Sequence, residues 1–317
     1  LWSLIGDIDG GWSTFFEIAG QNDKMTMNST SGGWGERNLF SACAYGFFIY
    51  MGGQLATYGS YQRYITVNTV KDAQFSLGVK GVFTLISCTL FFFVGTALYV
   101  FYQQSPETAQ IFDAYSDGAT KDKLLPNYVM SFMEGKGITG LLLAGLFAAA
   151  MSSLDSGINS MTATLVTDWY KGRDMGRGTN RKLTLVFGVA VTGAGCLMAF
   201  INAPVFDILL SVAGATLGLL LSILMVGLFL PQATSVGATA GMFAGLIVYF
   251  FIRIFIGEFA SDDFVEGLGA FGEIRNNTWW DGMFTTCTSA IVAVIVSLRT
   301  YTGQAPDSRL LFRGIKG

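Results

Sequence analysis

Ala144-Gly145-Leu146-Phe147-Ala148-Ala149-Ala150-Met151-Ser152-Ser153-Leu154-Asp155-Ser156-Gly157-Ile158-Asn159-Ser160 sits inside an apolar run from Ile138 to Tyr170. Wound as a helix with Ser152 at zero, Ser156 falls at ~+40°, Asn159 at ~−20°, Asp155 at ~−60°, Ser160 at ~+80° and Ser153 at ~+100°. The polar groups share one face, and Leu154 and Ile158 take the other. Ala148, Ala149 and Gly157 keep the helix thin enough for another backbone to approach. Asp155 is the one acidic residue read deep within a span, where a charged Asp costs about 2.5–3.5 kcal/mol on insertion scales. One Ser on a membrane helix reads as packing surface. Six polar groups on one face, a carboxylate among them, read as a site. With no His or Cys in the set, these are hard oxygen ligands, suited to an alkali or alkaline-earth cation and poorly suited to zinc, copper or iron.

The rest of the chain agrees with a bilayer. Of 317 residues, 51% are hydrophobic and 13% charged, against about 25% charged in a soluble domain. The mean hydropathy is +0.49. A disordered chain, a disulfide scaffold, a coiled coil and a basic nucleic-acid binder are excluded, and a net charge of −3 offers no polyanion surface. Histidine is absent, which removes the Ser-His-Asp triad and most zinc sites. Cys43, Cys88, Cys196 and Cys287 lie in apolar runs with no CxxC spacing and read as small buried hydrophobes. The chain opens without an initiator Met in a Trp/Gly-rich segment and reads as a piece of a longer protein.

A spanning helix needs roughly 20 apolar residues. Seven candidates follow: Leu39 to Tyr58, Leu77 to Tyr102, Ile138 to Tyr170, Leu183 to Ile201, Phe206 to Leu230, Val236 to Ile256 and Met283 to Leu298. Pro231-Gln232 divides the fifth from the sixth. Arg63 and Lys71 follow the first span; Lys171, Arg173, Arg177, Arg181 and Lys182 follow the third; Arg299, Arg309, Arg313 and Lys316 follow the seventh. Seven spans put these three clusters on one side, which the excess of Lys and Arg makes cytoplasmic. The opposite loops are acidic, with Glu36, Asp113, Asp117, Glu134, Asp262, Asp263, Glu266 and Asp281 among others. The expected topology has the N-terminal end outside and the C-terminal end in the cytoplasm, at the plasma membrane. Two glycosylation-type triplets, Asn28-Ser29-Thr30 and Asn276-Asn277-Thr278, fall on the outer side.

The first span carries a second signal. Tyr50-Met51-Gly52-Gly53-Gln54-Leu55-Ala56-Thr57-Tyr58-Gly59 places a Gly pair and polar groups inside an apolar run. Such a pattern marks either a discontinuous helix lining a transport site or a helix contact that needs small residues. Ser211, Thr216 and Ser222 read as hydroxyls bonded within their own helix. Arg253 reads as snorkelling at an outer end.

The Ala148–Ser160 segment, followed by Thr167-Asp168-Trp169-Tyr170, resembles the sodium/solute symporter family, and Gln62-Arg63-Tyr64 resembles its QRY signature. The resemblance implies an all-α integral membrane protein of two inverted five-helix repeats. This chain would hold the second repeat (39–230) after an outer loop region (1–38), then two additional helices (231–298) and a cytoplasmic tail (299–317). It further implies a sodium ion held by the Ala149 carbonyl and the Ser152 and Ser153 hydroxyls. Asp155 and Ser156 match positions that serve a second sodium in some members. The solute would meet the broken helix around Gln54, Thr57 and Tyr58. No cofactor is implied beyond Na+ as coupling ion. The implied partners are a small organic solute, Na+, the lipid bilayer and N-terminal helices of the same protein absent from this chain, with no nucleic acid. Two departures stand out. Thr57-Tyr58-Gly59-Ser60-Tyr61 replaces the Asn-Gln or Asp-Gln that usually precedes QRY, and no Gln lies near Leu210, which disfavours a sugar.

The reading is a non-enzymatic symporter working by alternating access. The alternatives are proton coupling through Asp155, a solute-sensing domain of a receptor, and a channel. The channel is disfavoured because only the third span shows a polar stripe.

Overall fold

The computed structural model describes residues 1–25, 33–115, 118–133, 137–170, 176–198, 200, 205–259 and 267–303. Those residues are helical or irregular, with no strand among them. Among the described residues, six helices are long and apolar enough to cross a membrane, and a bent pair, counted as one span, makes a seventh. Short helices α1 (Trp2–Gly6) and α2 (Gly11–Gln21) open the chain. The bent pair is α3 (Leu39–Leu55) and α4 (Tyr58–Ile65). There follow α5 (Val70–Gln103), the short α6 (Pro106–Ala114) and α7 (Leu124–Phe132), and α8 (Thr139–Trp169). The last four are α9 (Gly176–Met198), α10 (Val205–Phe229), α11 (Ser235–Ile256) and α12 (Asp281–Thr300). The seven expected spans coincide with these elements to within a few residues at most ends. Thr69 and Thr234 accept from the backbone N–H of Asp72 and Gly237 and so start α5 and α11. Leu230 makes the last bond of α10 before Pro231, as the expected break requires.

The chain divides into two compact units, residues 1–26 with 62–205 and residues 27–61 with 206–317. In the first, α1 and α2 fold over one end of α5. Phe15 and Ala19 are fully buried there against Ala97, Val100 and Tyr102. Tyr128 of α7 closes this cap, its hydroxyl donating to Asp7 Oδ2 at 2.7 Å. Burial, and then the bonded carboxylate, push the Tyr128 phenol above its ordinary pKa. α8 and α9 touch through Thr162 and Thr184, whose hydroxyls are 3.4 Å apart. Ile158 also faces Gly188, and the Thr139 hydroxyl reaches the Val129 and Met133 carbonyls, but no residue of the apolar window of either helix is buried.

The second unit is held by small residues. Gly237, Gly241 and Gly245 of α11 lie against α12, and a Cβ on Gly237 would stand 2.8 Å from the Ala293 carbonyl oxygen. Gly214 and Gly218 of α10 admit α12 in the same way. There Thr285 and Thr286 donate to the Gly214 and Gly218 carbonyls at 3.0 and 2.9 Å. Ser222 bonds its own helix at Leu219, as expected, and also Ser289 of α12 at 2.6 Å. Close backbone approach plus interhelical hydroxyl bonds is how helices associate where lipid removes the hydrophobic drive.

Three expectations are corrected. Arg253 does not snorkel: its Nε lies 3.0 and 2.9 Å from the two oxygens of Asp281. Asp281 belongs to no solvated acidic loop but is 2% exposed at the start of α12. Pairing removes the need for either charge to reach water. The four cysteines are exposed, not buried, because they lie on helix faces that no other described element covers.

Candidate cation and solute site

The candidate cation residues lie on one uninterrupted helix. Ala149, Ser152, Ser153, Asp155 and Ser156 are all on α8, and each is exposed in its unit. Placed on the same helical wheel, the Ala149 carbonyl's residue falls at ~+60°, between Ser156 and Ser160. Ser156 and Ser160 donate back to the carbonyls of Ser152 and Ser156 at 2.9 and 2.8 Å. Asn159 donates to Asp155 Oδ1 at 3.1 Å. Neither the Ser152 nor the Ser153 hydroxyl takes part in a hydrogen bond among the described residues. The stripe therefore divides into hydroxyls that satisfy the helix and two that remain available. A helical carbonyl keeps a second lone pair beside its intrahelical bond, so Ala149 retains an acceptor. These are the hard oxygens a sodium ion takes. Among the described residues no three His, Cys, Asp or Glu gather into a transition-metal cluster.

The candidate solute residues lie at the bend of the first span. α3 and α4 meet at 59° across Ala56-Thr57. Gln54 is in the last turn of α3, Thr57 in the break, and Tyr58 opens α4. The Gly pair makes a helix contact, and the helix also breaks close by. Gly52 packs its backbone on the Leu217 carbonyl of α10, a contact that needs a residue without Cβ, and the helix breaks four residues later. The Thr57 hydroxyl donates to the Gly53 carbonyl at 2.6 Å, and Ser60 donates to the same oxygen at 3.1 Å. Ser60 escaped the sequence reading. Its signal is a hydroxyl seven residues beyond a helical Gly, which only a bend brings back onto that carbonyl.

The N-terminal end of α3 is tied down by residues with no sequence signature. Asn277, fully buried, donates to the Glu36 carbonyl at 2.8 Å, and Trp280 Nε1 donates to the Trp34 carbonyl at 3.0 Å. Arg37 pairs with Asp207 at the start of α10. Of the glycosylation-type triplets, Asn276 is exposed. Asn28-Ser29-Thr30 lies outside the described residues, as do Asp117, Glu134, Lys171, Arg173, Ile201, Asp262, Asp263, Glu266, Arg309, Arg313 and Lys316.

Among the described residues, helices long and apolar enough to cross a membrane several times define a multi-span membrane protein. The family model described as the sodium:solute symporter family matches residues 36–245, which take in the α8 stripe and the bent first span. The chain belongs to the sodium:solute symporter family. It is 27% identical over 257 residues to the sodium/sialic acid symporter NanT of Aliivibrio fischeri, covering 78% of this chain and 49% of that protein. It is 27% identical to the sodium-dependent multivitamin transporter of Oryctolagus cuniculus, covering 77% and 39%. It is 28% identical to sodium-coupled monocarboxylate transporter 1 of Mus musculus, covering 61% and 32%. The chain spans about half or less of the length of these relatives.

Proposed function

We propose that this chain is part of a sodium-coupled symporter that moves a small organic solute across the plasma membrane by alternating access. The observation that carries the reading is the pair of unengaged hydroxyls, Ser152 and Ser153, on the small-residue stripe of α8. Sodium binds there with the Ala149 carbonyl, and Asp155 with Ser156 serves a second cation. The solute contacts the broken span at Gln54, Thr57 and Tyr58. Residues 39–230 act as the second inverted repeat, 231–298 as two additional helices, and spans supplied by the rest of the protein cover the open face of α8. Arg63, Lys71, Arg181, Lys182 and Arg299 mark the cytoplasmic side, which leaves the Asn277–Trp34 contact outside.

The energetics suffice. A tenfold sodium gradient supplies about 1.4 kcal/mol per ion, and each charge crossing adds about 2.3 kcal/mol per 100 mV. Uptake into proteoliposomes containing the full-length protein, with sodium or choline outside, tests the proposal. Solute accumulation that requires an inward sodium gradient is the expected result. Uptake indifferent to sodium refutes it, and uptake driven equally by a proton gradient assigns Asp155 to proton coupling instead.

A further inference from the structure

α1 and α2 rest on α5 at membrane depth. From Gly81 to its end at Gln103, α5 carries no charged residue and is about 34 Å long, so a hydrocarbon core of about 30 Å takes up nearly all of it. The apolar stretch that qualifies α5 as a span is 11% buried, and burial on α5 begins only at Ala97. That stretch therefore runs in under α1 and α2, which cover Ala97, Val100 and Tyr102. Phe15 of α2 reaches further, its ring 6.0 Å from that of Phe93, about 15 Å short of the end of α5. Beside Phe93, Phe91 and Phe92 are uncovered.

Around α2 the side chains fall into three sectors. With Trp12 at zero, Ala19 at ~−20° and Phe15 at ~−60° are buried on α5; Trp12 itself and Phe16 at ~+40° are exposed and aromatic; Ser13 at ~+100°, Glu17 at ~+140° and Gln21 at ~+180° are exposed and polar. Trp2 of α1 is 81% exposed and extends the aromatic sector, its ring 6.5 Å from that of Trp12, which stacks on Phe16 at 5.9 Å. A face built to receive another membrane helix is lined by small residues. This one carries large rings and passes at once to a carboxylate, which needs water. Protein, lipid and water in that order are the surroundings at the edge of a bilayer. Trp suits the middle one, with an apolar body and one N–H to give to a headgroup oxygen. We propose that α1 and α2 are seated in the membrane interface, with Trp2, Trp12 and Phe16 among the headgroups and upper acyl chains and Glu17 and Gln21 in water. The partner of this surface is the phospholipid bilayer. Residues 1–21 contain no Lys or Arg, so the seat draws on aromatic burial and not on attraction to anionic lipid. It requires only that α5 spans, whatever the protein transports.

The test uses full-length protein in phosphatidylcholine vesicles, with its cysteines replaced by Ala and one spin label at a time introduced through Trp12→Cys, Phe16→Cys, Glu17→Cys or Gln21→Cys. Collisions with oxygen, which concentrates in lipid, are compared with collisions with a water-soluble nickel chelate. Oxygen is expected to dominate several-fold at positions 12 and 16, and the chelate at 17 and 21. Chelate dominating at 12 and 16 puts the rings in water and overturns the seat. Neither reagent reaching them means that other helices of the protein cover the face, which also overturns it, as does oxygen dominating at all four positions. The unsubstituted protein gives a second reading. A carbene reagent that partitions into the bilayer is expected to label the peptide carrying Trp12 and Phe16 as well as the one carrying Phe91 and Phe92. Label on the second peptide alone overturns the proposal. No uptake is measured in either experiment, so their outcome is separate from that of the function proposed above.

Discussion

Arg253 and Asp281 form a buried ion pair between α11 and the first turn of α12. The Asp281 side chain is 1% exposed and that of Arg253 15%. A further donor, Nη1, reaches the Arg275 carbonyl at 2.6 Å. The guanidinium thus clamps a helix start to the loop that precedes it. Such a pair adds little net stability when intact, but each half depends on the other, since one charge left alone has no compensation.

Asp281→Ala is accordingly expected to cost about 3–5 kcal/mol, and the double change Arg253→Met with Asp281→Leu much less. Thermal unfolding of the full-length protein in detergent measures both. A double variant as unstable as the single one refutes the account.

The α11–α12 seam makes a sharper contrast. A Cβ on Gly241 would stand 2.7 Å from the Ala293 Cβ, whereas one on Gly227 would meet nothing within 4 Å. Gly241→Val should destabilise by about 1–3 kcal/mol. Gly227→Ala should leave the melting temperature unchanged or raise it slightly, because Ala is the better helix former.

Ser152→Ala and Ser153→Ala are expected to leave stability unaltered, since each hydroxyl is exposed and unengaged within the unit. Each should raise the half-saturating sodium concentration about tenfold, the loss of one hydrogen-bond-strength ligand to a charge. Sodium titrations of uptake in full-length variants provide the check.

Tyr128 gives the cap that α1 and α2 form on α5 a pH response. Its phenol pKa is raised above 10.0 by burial, reinforced by Asp7. A raised pKa means that the folded state holds the proton more tightly. The stabilisation is therefore complete below pH 10 and is lost as pH climbs through the folded-state value. Wild type should lose cap stability only above pH 10. Tyr128→Phe should flatten that dependence and cost about 1–2 kcal/mol at neutral pH by leaving Asp7 without this donor. Hydrogen exchange of residues 3–20 across pH 7–11 reads the difference.

The helices were legible because bilayer thickness imposes a run length that soluble folds do not, and because Pro231 and the Thr caps punctuate those runs. The α8 stripe was legible because periodicity places Ser152, Ser156 and Asn159 on one face. Arg253 and Asp281 were misread since they lie 28 positions apart and each, taken alone, sits near a span end where charge is cheap. Asn277 was read only as part of a triplet, for nothing local shows that its amide grips a backbone more than two hundred residues earlier. The cysteines went wrong because an apolar neighbourhood in sequence does not say which side of a helix faces its partners.

The glycine ladder of α11 has one more consequence. Its contact with α12 runs through main-chain atoms and short hydroxyls that acyl chains cannot imitate. Detergent or a change of lipid thickness therefore finds no competing solvent for that seam, and α11 and α12 should be the last part of this protein to come apart when the membrane is stripped away.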